Sequence, residues 1–127
     1  MRVVTTINRP TVLSEFWRIT SGSQYCEVVG DGRCVSDGYG NYGNNEYCEV
    51  EALKPLIVTT EQYDIENGHD FVAVEGTVYK YRGRGPDNIF MQAGDKWRWK
   101  SDSGFQRSGF RICGNGGTFV CMLDSPW

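Results

Sequence analysis

The stretch KWRWKSDSGFQRSGFRIC, residues 96–113, decides how the rest of the sequence is read. Its first five residues alternate. In an extended strand successive side chains point to opposite faces, so Lys96, Arg98 and Lys100 share one face and Trp97 and Trp99 the other. Such a tryptophan pair forms either a ligand platform or a core. The core reading is favoured, because large aromatic side chains are mostly buried. The three cations then take a solvated outer face, where they also blunt the strand against edge pairing. SDSG follows as a small acidic turn, and GFRIC resumes as a strand that ends in cysteine.

Working outward, the same grammar repeats. WRIT, CEVV, RCVS and CEVE come early, then PLIVTT, DFVAVE, TVYKY and NIFMQA, and TFVCM closes the series. Turn signals separate them: GDG at 30–32, DGYGNYGNN at 37–45, NG at 67–68, RGRGPDN at 82–88 and GNGG at 114–117. No long segment carries the i, i+3, i+4, i+7 spacing of an amphipathic helix. Strands at this spacing predict an all-β fold, a sandwich or barrel. Residues 1–15 read as an N-terminal arm, 16–113 as the main domain and 114–127 as a C-terminal extension.

At 127 residues the chain is the size of one domain, long enough to bury a real core. Its net charge of −3 does not suggest a nucleic-acid binder. The charge is uneven along the chain. Residues 1–76 hold 5 basic and 12 acidic residues, and residues 77–127 hold 8 basic and 4 acidic. In a sandwich early and late strands mix within each sheet, so the surface is expected to average out. No run of about 18 apolar residues is present to span a membrane as a helix. The first residues lack the apolar core of a secretory signal.

Five cysteines, Cys26, Cys34, Cys48, Cys113 and Cys121, lack C-x2-C spacing, and the sequence has a single histidine, His69. A zinc site and a cysteine or serine triad are therefore disfavoured, and no nucleophile–base constellation is visible. Adjacent His69 and Asp70 are too little for a metal hydrolase. Disulfides are the better reading, which implies an oxidising compartment, and the odd count leaves one thiol over or a bond to a partner.

The ordered set W-x-I-T-S-G, Cys26, CVSDGYGNYGNNEYC, VTTE, DFVAVEG, YRGRGP and WRWKSDSGFQRSGFRIC resembles a CUB domain over about residues 17–113. Val35 to Tyr42 stands where that family has an SPNYP-type turn, with Asp37 and Gly38 in place of its prolines. Gly76 matches the DG turn, Ser101 and Asp102 the SD pair, and Gly109 and Phe110 the closing GF. Cys34 and the cysteine after GFRI make it more similar to degenerate CUB-like proteins of algae and protists than to animal modules.

The resemblance implies a two-sheet antiparallel jelly roll with N- and C-terminal extensions. In it WRWK is a core strand, and GFRIC returns to pair near the first strand. It also implies a Cys26–Cys48 disulfide across the DGYGNYGNN excursion. Cys34–Cys113 would tie an early strand to the last and leave Cys121 free. The rival is a Cys113–Cys121 hairpin bond with Cys34 unpaired. Trp97, Trp99, Val72, Val74, Ile57 and Phe110 are expected in the core.

Many members of that family bind Ca2+ at one end of the sandwich. Carried over residue by residue, the ligands are Glu61, Asp70 and Asp102, with Ser103 as a weaker helper and Glu66 or Asp64 as alternatives to Glu61. Three converging carboxylates suit the oxygen preference of Ca2+. The rival reading is that Asp102 only caps its own turn. The implied function is a noncatalytic recognition or adhesion module for a protein or glycan partner, secreted or extracellular. The alternative is a small extrinsic subunit docked on a larger complex, in an oxidising organelle lumen, through its terminal arms. In that reading Phe119, Val120, Met122, Leu123 and Trp127 form an interface or a last packed strand.

Overall fold

The computed structural model describes residues 15–116, and every regular element among them is a strand. In chain order these are β1 (Trp17–Ser21), β2 (Glu27–Val29), β3 (Cys34–Ser36), β4 (Tyr47–Ala52) and β5 (Leu56–Asp64). Then come β6 (Phe71–Val74), β7 (Thr77–Tyr79), β8 (Ile89–Met91), β9 (Lys96–Lys100) and β10 (Gly109–Asn115). Two antiparallel sheets result, ordered β1-β4-β9-β6-β7 and β2-β3-β10-β5-β8. The chain is an all-β sandwich, as its alternation predicts.

Strand β9 is the centre of the first sheet. Trp97 faces Val50 on one side and Val74 on the other, and Trp99 faces Cys48 and Val72. The two tryptophans are 1% and 0% exposed, which settles the choice between platform and core. Across the sandwich both rings meet Phe110 of β10, at 5.8 and 5.0 Å between centroids. Val72, Val74 and Phe110 are buried as expected. Ile57 is not: Leu56 and Val58 take the core, and Ile57 is half-buried on the opposite face. PLIVTT holds three consecutive apolar residues, so its composition does not fix the phase of the alternation.

The cations of β9 do lie on the exposed face, but they guard no edge. β4 and β6 lie on either side, and Lys96 answers an acid of β4 instead. Lys96 Nζ lies 3.7 Å from Glu49 Oε1, and Arg18 of β1 reaches Glu51 at 2.6 Å. Elsewhere Arg82 and Arg107 pair with Asp64, and Arg111 with Glu61. Late cations thus meet early acids, and the uneven charge along the chain evens out on the surface.

GFRIC does not return beside the first strand. Residues 101–108 carry the chain from the first sheet to the second, where β10 lies between β3 and β5. That places Cys113 opposite Cys34, and the two form a disulfide. Their neighbours Val35 and Ile112 point into the core, so this bond lies on the outer face of the second sheet. The Cys26–Cys48 disulfide lies in the core, linking the entry of β2 to β4. With Cys113 so bonded, the Cys113–Cys121 alternative is ruled out. Cys121 itself lies outside the described residues, as do the arm before Glu15 and the apolar tail residues from Phe119 onward.

Strand β10 runs to Asn115, two residues past the expected boundary. Gly114 and Gly116 pack beside Phe16, and a Cβ on Gly114 would come within 2.8 Å of the Phe16 ring. Register places the two ends. Gly109 opens β10 opposite Asp64, whereas Asn115 closes it opposite Ile57. Phe16 and Gly116 therefore lie together at one end of the sandwich. The loops 37–46, 65–70 and 101–108 gather at the other.

Candidate metal centre

The first and third of these loops are joined by backbone hydrogen bonds, and the second meets them through the Tyr42 and Asp70 side chains. Tyr42 N–H donates to Arg107 O at 3.1 Å, and Asn45 N–H to Asp102 O at 2.9 Å. His69 and Asp70 both donate N–H to Glu66 O at 3.2 Å, closing the Asn67-Gly68 turn. Beneath them Ser101 and Glu46 form a lock. Glu46 N–H donates to Ser101 Oγ at 2.9 Å, and Ser101 Oγ–H donates to Gly43 O at 2.8 Å. The Glu46 carboxylate accepts from Trp99 Nε1 at 3.1 Å and from Gly43 N at 2.7 Å. Buried Glu46 is thus satisfied internally and serves the scaffold.

Asp70 is the buried centre of the site, with 0% exposure. Its Oδ2 accepts from Tyr42 Oη at 2.5 Å and its Oδ1 from Asp102 N at 2.9 Å. Burial pushes its carboxyl above the usual range, the two hydrogen bonds oppose this, and the neighbouring Asp102 charge adds to the rise. Asp102 sits at the surface, where its Oδ1 accepts from Gly104 N at 2.8 Å. That backbone bond, first among its causes, holds the Asp102 carboxyl below the usual range. His69 Nδ1 lies 3.6 Å from Asp102 Oδ2.

Glu66 completes the group. Carboxylate oxygens of Glu66, Asp70 and Asp102 all lie within 4.8 Å of one another. Glu66 Oε1 is buried and meets no donor. Gly104 is tucked against the same carboxylates, since a Cβ there would stand 3.1 Å from both Glu66 Oε1 and Asp102 Oδ1. Oxygens on opposite sides of one Ca2+ are about 5 Å apart, so the spacing fits a single hard cation.

The structure therefore brings together two of the expected ligands, Asp70 and Asp102, and not Glu61. Glu61 is exposed on β5, where its carboxylate takes Arg111 Nε at 2.9 Å. It lies near Cys34 and Cys113, whose sulfurs are bonded to each other. The cause is strand length. β5 runs on to Asp64, so residue 61 is still within the strand and only residue 66 reaches the loop cluster. Of the two alternatives, Asp64 is held by Arg107 Nε at 2.9 Å and Ser108 Oγ at 2.6 Å, which leaves Glu66. Ser103 is exposed at the tip of the turn beside Asp102. Tyr42, which orients Asp70 and packs edge-on against Trp99 at 4.9 Å, carried no signal in the sequence.

A second carboxyl sits near this end without joining the cluster. Asp37 Oδ1 accepts from Phe110 N at 2.8 Å, and its Oδ2 is buried without a donor. Gly109, at φ +98°, gives it room: a Cβ there would fall 2.1 Å from the carboxylate oxygens. Burial raises the Asp37 carboxyl to about 7, the Phe110 N–H opposes this, and the charge of Glu46 adds to it.

A comparison of the chain with protein-family models, with curated proteins and with solved structures finds no match.

Proposed function

We propose that this chain is a noncatalytic recognition module resembling CUB domains, and that it presents a Ca2+ ion at the loop end of the sandwich to a protein or glycan partner. The observation that carries the reading is the convergence of Glu66, Asp70 and Asp102, with Glu66 Oε1 buried and unpartnered. A hard cation supplies the missing counter-charge and uses lone pairs that no N–H occupies. Asp70 is the internal ligand, fixed by Tyr42. Glu66 and Asp102 are the outer ligands, and Ser103 stands beside them at the rim. Ca2+ binding also removes the repulsion between Asp70 and Asp102.

The two disulfides fit an oxidising environment, and a secreted or extracellular setting is the form of it we favour. No helix among the described residues is long and apolar enough to cross a membrane.

One observation favours a second reading, a small extrinsic subunit of a larger assembly held by its terminal arms. Phe16 and Gly116 adjoin, so both extensions leave from the end opposite the carboxylates. A chain tethered there keeps its acidic end free, in an organelle lumen as readily as outside the cell.

Thermal unfolding with excess Ca2+ and with chelator tests the first reading. Ca2+ raises the Tm of the native chain and leaves Asp102→Asn unmoved. A Tm indifferent to Ca2+ removes the metal from the account. Sedimentation separates the two settings: a free module is a monomer at all concentrations.

A further inference from the structure

Residues 80–84 read KYRGR, and they are fastened to the loop end of the sandwich beside the carboxylates. Gly68 N–H donates to Lys80 O at 2.7 Å, Arg82 N–H to Asn67 Oδ1 at 2.6 Å, and Gly83 N–H to Tyr63 O at 2.7 Å. Arg84 N–H donates to Tyr81 O at 3.0 Å and closes the turn. The segment is thus held in place before any partner arrives, and it loses little freedom on docking. Tyr81 is 54% exposed on it. Beyond the 65–70 loop, Gly104 packs against Glu66 and Asp102, and the next residue, Phe105, is 77% exposed.

We propose that this end of the sandwich docks on a membrane surface rich in anionic phospholipid, with Phe105 and Tyr81 entering the headgroup layer and the cations around them facing the lipid phosphates. Two independent observations point there. The first is charge. Lys80, Arg82, Arg84 and Arg107 rim this end, and one carboxylate, Asp64, answers two of them, Arg82 at 3.4 Å and Arg107 at 2.9 Å. Among the described residues no ion pair holds Lys80 or Arg84, and both are exposed. The clustered carboxylates sit deeper, with Asp70 buried and Glu66 and Asp102 half-buried. The second is shape. Phe105 and Tyr81 project from turns instead of lining a groove. A bilayer interface yields around such rings, whereas a folded partner needs a pocket cut for each, and a soluble polyanion offers no apolar layer. Aromatic side chains favour the membrane–water interface, and lysine and arginine favour an anionic leaflet. Phe16 and Gly116 lie at the opposite end, so the described chain meets a flat surface here with its loops alone. None of the docking residues is a metal ligand in the reading above, and this inference does not depend on that reading.

The test is cosedimentation of the full chain, in chelator, with vesicles of phosphatidylcholine and phosphatidylserine, beside vesicles of phosphatidylcholine alone. The expected result is saturable binding to the mixed vesicles, about tenfold or more weaker to phosphatidylcholine alone and largely lost in about 0.5 M NaCl. One cation near an anionic surface contributes about fivefold to partitioning, so replacing Lys80 and Arg84 together by serine lowers binding about tenfold or more. Phe105→Ser lowers it about fivefold or more. These side chains are exposed, so both variants keep the native Tm. Lys96→Ser, at the far end of β9, leaves binding unchanged. Phe105→Trp adds fluorescence that acyl-brominated lipid quenches, which reports entry of the tip. Equal binding to the two vesicles would overturn the proposal. So would no association with either, which leaves the surface to a protein. Binding that Phe105→Ser leaves at full strength would overturn it too, and would mark the rim for a soluble polyanion.

Discussion

Tyr42 and Asp70 meet across 2.5 Å, hydroxyl to carboxylate, beneath the loop end of the sandwich. The same hydroxyl accepts from Glu66 N at 3.0 Å, so one side chain positions both a buried acid and the backbone of its neighbour. Tyr42→Phe leaves Asp70 Oδ2 and Glu66 N–H without this partner. The expected loss is about 1–3 kcal/mol of stability, the cost of a stranded buried polar group. Urea denaturation of the pair measures it. A variant equal to the native chain would show that water replaces the hydroxyl.

Trp99→Ala is expected to cost about 3–5 kcal/mol. It removes the ring that packs on Tyr42 and Phe110, and it also takes the Nε1 donor from buried Glu46. Trp99→Phe is expected to lose less, because it keeps most of the volume and only the hydrogen bond is broken. Near-native stability for the alanine variant contradicts the core assignment.

The disulfides stabilise by restricting the unfolded chain. They close separations of 22 and 79 residues. Chain entropy alone gives about 3 kcal/mol for the first and about 4.5 kcal/mol for the second. Replacing Cys34 and Cys113 together by alanine is therefore expected to cost more than replacing Cys26 and Cys48, and the reverse order would contradict the entropic account. Peptide mapping without reductant is expected to return these two bonds and an alkylatable Cys121.

Asp37 sets a pH dependence with a definite sign. Burial pushes its carboxyl up to about 7 in the folded chain, from an ordinary value of 3.8. The folded state holds its proton more tightly, so the contribution to stability is complete below about 3.8. It declines as pH rises and is lost above about 7. The slope over this window is at most about 1.4 kcal/mol per pH unit, reduced by the partial exposure of the residue. Asp37→Asn is expected to flatten stability between pH 4 and 7. An unchanged slope places the titrating group elsewhere.

The fold was legible because its signals are local and repeated. Trp97 and Trp99 alternate with three cations, and that period alone marks a strand with one buried face. Val72, Val74 and Phe110 follow the same logic. Ile57 did not, because a run of apolar residues hides its phase. The sheet partners of GFRIC were not legible either, since pairing depends on where residues 101–108 cross, and their turn chemistry does not say. Two of the three clustered carboxylates followed from the family resemblance. The third depended on how far β5 runs: the strand continues to Asp64, which carries the loop position from residue 61 to residue 66. Tyr42 and Asp37 gained their roles only from burial, which no local motif records.

The most direct measurement is calorimetric titration of the chelated chain with CaCl2, run beside Glu66→Gln, Asp102→Asn and Glu61→Gln. The account expects saturable heat at one ion per chain, lost in the first two variants and retained in the third, because Glu61 is paired with Arg111. Binding that survives Glu66→Gln and disappears in Glu61→Gln would contradict the site drawn here, and no heat at all in the native chain would leave the carboxylate cluster as a plain turn.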